Sequence, residues 1–201
     1  MPLAAPILAA VLALAAAPGT VSPYLLPSPA PDAAAQLSEM VGLFDTLCLK
    51  AFPDDAAVAA AIAARGGGVT TMTPADVALY LHANPGVGWF LTGRSGRFVV
   101  TVEAPPYHAC GVRTLTVAGF ADLTPYRQLA DAFEAGHDAR KVAPVSGTVG
   151  NVESVGGGES WQRPDGSDEA LFVFSTGPAA SIRVEGRDGT EVRFVHQIHV
   201  R

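Results

Sequence analysis

The sequence predicts an α+β domain: an antiparallel sheet with N-terminal helices and one later helix packed on it. Three observations predict it. From Asp32 to Leu81 the apolar residues recur at helical spacing. From Gly88 to Val117, and again after Glu159, they alternate at strand spacing. Short polar turns such as Gly93-Arg94-Ser95-Gly96 and Pro164-Asp165-Gly166 separate neighbouring strand segments, which favours hairpins and helices gathered on one face of the sheet.

The first helix is expected over Ala33–Ala51. Asp32 is its N-cap, and Leu37, Met40, Val41, Phe44, Leu47, Cys48 and Ala51 form one apolar stripe, so Cys48 points inward. Pro53 ends it. A second, short helix follows Asp54, with Arg65 suited to its C-terminal dipole and Gly66 to a left-handed cap. A third begins at Thr73-Pro74 with Asp76 at the third helical position, Met72 and Val77 placed as a hydrophobic staple, and Asn84-Pro85-Gly86 as its stop.

"GWFLTG" and "RFVVTVEA" then read as two strands, with Phe98, Val100 and Val102 on one face and Val99, Thr101 and Glu103 on the other. Pro105-Pro106 breaks the chain before a third strand, "ACGVRTLTV". Thr124-Pro125 opens the later helix, with Tyr126, Leu129, Ala130 and Phe133 on one face and Gly136 at its end. About four further strands follow. Leu171, Phe172, Val173 and Phe174 give one of them two apolar faces. The last hairpin is expected to oppose Val184 with Val192 across a three-residue loop, Arg187-Asp188-Gly189.

The N-terminus has a different character. No charged side chain precedes Asp32, and Ile7–Ala17 is an apolar run of eleven residues. That is the length of a signal-peptide core and too short to span a bilayer. Small residues follow, and a mature chain starting between Ala16 and Thr20 is expected. The reading is residues 1–19 as signal peptide, 20–31 with its four prolines as an extended linker, and 32–201 as one domain. A periplasmic or secreted protein without a membrane span in the mature chain follows. Net charge −6 with scattered arginines lacks the basic footprint of nucleic-acid binding.

Cys48 and Cys110 are the only cysteines. In an oxidising compartment an even count favours pairing, here across 61 intervening residues, a crosslink worth about 4 kcal/mol by chain entropy. The alternative is a Cys110 nucleophile with His108 as its base. Two residues apart on a strand they share a face, but no helix N-terminus or cation other than Arg113 is at hand to lower the thiol pKa. His196 and His199 stand three apart, hence on opposite faces of a strand, which removes them as a pair of metal ligands. The glycine runs Gly66–Gly68 and Gly156–Gly158 lack the Lys-Ser/Thr context of a phosphate loop, and Pro164–Glu169 lacks the spacing of a calcium loop.

"FDTLCLKAFPDD" (Phe44–Asp55), "GW" before a strand pair, and "CGVR" (Cys110–Arg113) before a short helix together resemble a group of small exported bacterial proteins of unknown function. The resemblance covers about half the chain and implies an envelope protein whose two cysteines pair. The functional expectation is an exported, non-enzymatic module without cofactor or metal, binding a protein or small molecule of the envelope. The competing expectation is a hydrolase or other enzyme assembled around His108, Glu103 and Cys110, with His196 as a further candidate.

Overall fold

The computed structural model describes residues 32–82, 84–178 and 189–200. The expected signal peptide and linker, and most of the hairpin loop placed around Asp188, lie outside the described residues. The elements are α1 (Ala33–Phe44), a π-helical turn (Asp45–Ala51), α2 (Asp55–Ala63), β1 (Val69–Thr71), α3 (Pro74–Leu81), β2 (Gly86–Thr92), β3 (Arg97–Glu103), β4 (Tyr107–Thr116), α4 (Thr124–Glu134), β5 (Arg140–Val149), β6 (Val152–Gln162), β7 (Asp168–Pro178) and β8 (Thr190–His199).

The strands form one eight-stranded sheet in the order β1-β2-β3-β4-β8-β7-β6-β5, antiparallel throughout. The α+β class and the antiparallel sheet are therefore as expected. Two meanders, β1 to β4 and β5 to β8, join where β8 pairs with β4. α4 is the connection that carries the chain from β4 to the far edge.

On the helical face Phe98, Val100, Val102, Cys110, Val112, Val192, Phe194 and Ile198 meet α1, the π-turn, α2 and α4 in one core. Phe194 is its centre: Tyr126 of α4 stacks on it at 4.1 Å and Phe44 of α1 meets it edge-on at 5.7 Å. Gln36, buried on α1, donates to Thr114 Oγ1 at 2.8 Å, and Thr114 donates on to the Arg97 carbonyl. A buried amide is thereby satisfied, and α1 is held in register over β3 and β4. The cap residues act as expected. Asp32 accepts from Ala34 and Ala35, Asp54 from Ala56 and Ala57, and Thr73 with Asp76 closes a reciprocal capping box.

Three expectations need correction. The helices do not share one face: Met72, Val77, Tyr80 and Leu81 place α3 on the opposite side, packed on Phe90 and Val99. β2 and β3 are apolar on both faces, so both must be covered. α3 ends at His82, which itself takes the left-handed conformation (φ 51°), before the Asn-Pro-Gly stop. Val184, the expected partner of Val192, lies outside the described residues; Val192 faces Thr114 on one side and Ser175 on the other. β1 and β5 were not anticipated, since three residues and a Pro-containing edge carry little periodic signal.

The run Gly156–Gly158 finds its explanation on the face away from α1. Gly156 and Gly158 oppose Phe174 and Phe172. A Cβ at Gly156 would strike the Phe174 ring, and one at Gly158 the Phe172 ring and the Leu171 carbonyl. The glycines give two aromatic rings room to lie across β6, a packing role rather than a phosphate loop.

Candidate functional site

The π-turn sets the geometry of the helical face. In its widened register Phe52 N–H donates to the Leu47 carbonyl at 3.0 Å, five residues back. In an α-helix that N–H would have served Cys48. The next N–H in the π register would belong to residue 53, which is proline and has none. The Cys48 carbonyl is left without a backbone donor at the point where the turn meets the sheet. His196 of β8 takes the place of that donor, with Nδ1 donating to Cys48 O at 2.6 Å.

The sulfur of the same residue is bonded to Cys110, with the Cα atoms 5.3 Å apart. Cys110 and His196 stand directly opposite each other on β4 and β8. One residue of the helical layer is thus fixed to two adjacent strands, covalently to β4 and by hydrogen bond to β8. Both cysteines and His196 are almost wholly buried.

His196 Nε2 lies 2.6 Å from Glu169 Oε1 of β7. Trp161 Nε1 donates to the other carboxylate oxygen at 3.1 Å, and Arg163 Nε stands 3.7 Å from it. Burial acts to raise the Glu169 carboxyl, but the hydrogen bond and charge of His196, then Arg163 and Trp161, outweigh it and hold the group below the usual carboxylate range. A carbonyl only accepts, so Nδ1 of His196 is a donor, and Nε2 is engaged by the Glu169 carboxyl. The ring is enclosed by Phe52 at 5.0 Å and Phe133 at 5.2 Å. Both nitrogens are occupied and the ring is 1% exposed, so no substrate atom reaches it.

His108 lies at the rim of the same face. Its Nε2 is 2.8 Å from Asp55 Oδ1 at the start of α2, and its ring meets Phe52 at 4.5 Å. Glu103 is elsewhere. It opposes Ala109, so it lies on the face away from His108 and Cys110, where Asn84 Nδ2 donates to it at 2.6 Å. Burial raises its carboxyl, moderated by Asn84, Arg193 and Arg113. The structure brings Cys48, Cys110 and His196 together and His108 close by. It does not bring Glu103 to them. His199 stacks on Tyr107 at 4.7 Å. Among the described residues no group of three or more His, Cys, Asp or Glu is placed to hold a metal, and no helix is long and apolar enough to cross a membrane.

A second acidic contact joins α4 to the sheet. Glu134, 7% exposed, is hydrogen-bonded to Glu159 of β6. Burial first, then the hydrogen bond and charge of Glu159 and the charge of Asp131, push its carboxyl up to about 8. A carboxyl raised on folding contributes stability that is fully present below its unfolded value near 4.5 and is lost as pH rises through 8. Glu134→Gln keeps the donor without the ionisation. It is expected to match the wild type at about pH 4 and to be roughly 1–3 kcal/mol more stable near pH 8, read as Tm across that range.

The face away from α1 holds what the sequence reading missed. Arg113 of β4 and Arg193 of β8 are directly opposed. Arg113 is 4% exposed, lies over the Tyr80 ring at 5.0 Å, and has Glu191 Oε1 3.6 Å from its Nη1. Arg193 lies over the Phe174 ring at 4.7 Å. Desolvation and then the charge of Arg113 bring Arg193 down to about 10. The only signal available beforehand was arginine at inward positions of two apolar strands.

No protein-family model matches the chain, and no curated protein matches it either.

Proposed function

We propose that the chain is an extracytoplasmic binding module without a catalytic centre. One observation carries this reading. The residues with the look of a thiol–imidazole site form a structural pin, in which Cys110 is crosslinked to Cys48 and His196 is spent on the Cys48 carbonyl and Glu169. A crosslinked sulfur has no thiolate to offer, and a histidine with both nitrogens engaged has no free base. The disulfide, the apolar N-terminal run and the resemblance to small exported bacterial proteins support a periplasmic or secreted setting. A protein or small molecule of the envelope is the partner.

Two measurements test this reading. Mass spectrometry of the chain recovered from its native compartment is expected to show a first residue between Ala16 and Thr20, and recovery with Met1 intact would reject export by cleavage. Chromogenic ester, glycoside and phosphoester substrates are expected to turn over equally slowly with wild type and His108→Ala. Turnover lost by about 10²-fold or more in His108→Ala would establish an enzyme instead.

A further inference from the structure

The row Val99–Arg113–Arg193–Phe174 crosses four strands on the face opposite the helical core. Two guanidiniums directly across antiparallel strands repel each other, an arrangement that lowers sheet stability unless something of opposite charge lies against it. The charged groups facing the pair come from three elements. Glu191 of β8 is the one carboxylate within 4 Å of either guanidinium among the described residues, and it reaches Arg113 only. Glu103 of β3 interacts with both at longer range, but its carboxylate already accepts from Asn84. His82, at the left-handed end of α3, feels both arginines, and burial and these two charges keep its imidazole below its ordinary value. Nε of Arg113 and Nε of Arg193 are both enclosed and have no hydrogen-bond partner.

Two like charges side by side with one carboxylate near them leave a net positive charge, and a partly exposed guanidinium in that field favours an oxyanion supplied from outside the chain. Arg193 is the half-buried member of the pair and the way in. The Tyr80 and Phe174 rings hold the two guanidiniums on their faces, and Arg113 Nη2 also donates to the Tyr80 carbonyl at 3.5 Å, so Arg113 is held in place and Arg193 carries the accessible edge for a planar or tetrahedral oxyanion. Val195 and Leu115, on the same face, add apolar surface beside them.

We propose that Arg113 and Arg193 form a binding site for an oxyanion, a carboxylate or a phosphoryl group, on the sheet face opposite the disulfide. The assignment rests on the reading of the chain as a binding module and names the chemistry of its ligand. Arg193 is the binding group at the entrance, Arg113 the fixed second cation, and Glu191 the internal carboxylate that the ligand displaces or shares.

Calorimetric titration and thermal melts with sodium phosphate and with sodium benzoate, against sodium chloride at matched ionic strength, test it. Saturable binding of at least one oxyanion, with a rise in Tm that chloride does not produce, is expected. Response to benzoate alone assigns a carboxylate with an apolar body; response to phosphate alone assigns a phosphoryl group. Arg193→Gln should weaken binding about tenfold or more, since it removes a charge-assisted contact. Glu191→Gln should tighten it several-fold by removing the competing carboxylate, a gain that a merely structural role of Glu191 would not produce, and it keeps the test open if Arg193→Gln fails to fold. No saturable response to either anion, or equal affinities in wild type, Arg193→Gln and Glu191→Gln, would overturn the site. That result would leave the disulfide and the substrate assays untouched, so the binding-module reading would stand or fall separately.

Discussion

His196→Ala is expected to destabilise the protein by about 3–5 kcal/mol, the usual cost of removing one partner of a buried carboxylate. The loss has three parts. The Glu169 carboxylate keeps Trp161 and Arg163 but loses its shortest contact. The Cys48 carbonyl, which proline at 53 deprives of any backbone donor, is left unsatisfied. The ring also leaves a gap between Phe52 and Phe133. His196→Gln restores one donor and is expected to recover part of the loss. His108→Ala is the control. Its ring packs on Phe52 but its partner Asp55 is largely exposed, so a loss of about 1 kcal/mol is expected from a weak surface pair and one aromatic edge. Urea denaturation of the three variants reads all of this. Equal stability of His196→Ala and wild type would show that the contact with Cys48 contributes nothing.

The second large effect is expected from Cys48→Ala, which should cost about 2–5 kcal/mol, the range seen when a native disulfide is removed from a small exported domain. The bridge ties a helical turn to a central strand, across 62 positions of sequence. Its loss frees the unfolded chain and loosens the turn that presents the Cys48 carbonyl to His196. The two pins share one residue, so Cys48→Ala and His196→Ala should not add: the double variant should lose less than the sum by at least about 0.5 kcal/mol. Strict additivity, read from the same urea curves, would separate the two pins.

Much of the helical layer was legible because its signals are local. Asp32, Asp54 and Thr73-Pro74 mark helix starts through a single side chain each, and the alternation of Phe98 to Val102 fixes which residues of β3 face inward. The pairing of Cys48 with Cys110 was accessible because a bridge requires only two inward residues and an oxidising setting. The pin at His196 was not, although its cause is in the sequence. Pro53 withholds an N–H from Cys48, but nothing local says that the turn widens or that a residue 148 positions away supplies the proton. Face assignment failed for α3 for a related reason. A strand with apolar residues on both sides shows that both faces are covered, not which helix covers which. The arginine pair was invisible because cross-strand opposition of Arg113 and Arg193 depends on β8 lying beside β4, a long-range pairing.

The question on which the functional reading turns is whether Cys110 is a crosslink or a nucleophile. Alkylation of the unreduced protein with iodoacetamide, before and after unfolding in urea, followed by intact-mass measurement, answers it most directly. No mass gain is expected in either state, and two alkyl groups only after reduction. Uptake of two groups by the folded, unreduced protein would contradict the crosslink and return Cys110, with His108 beside it, to the standing of a reactive thiol.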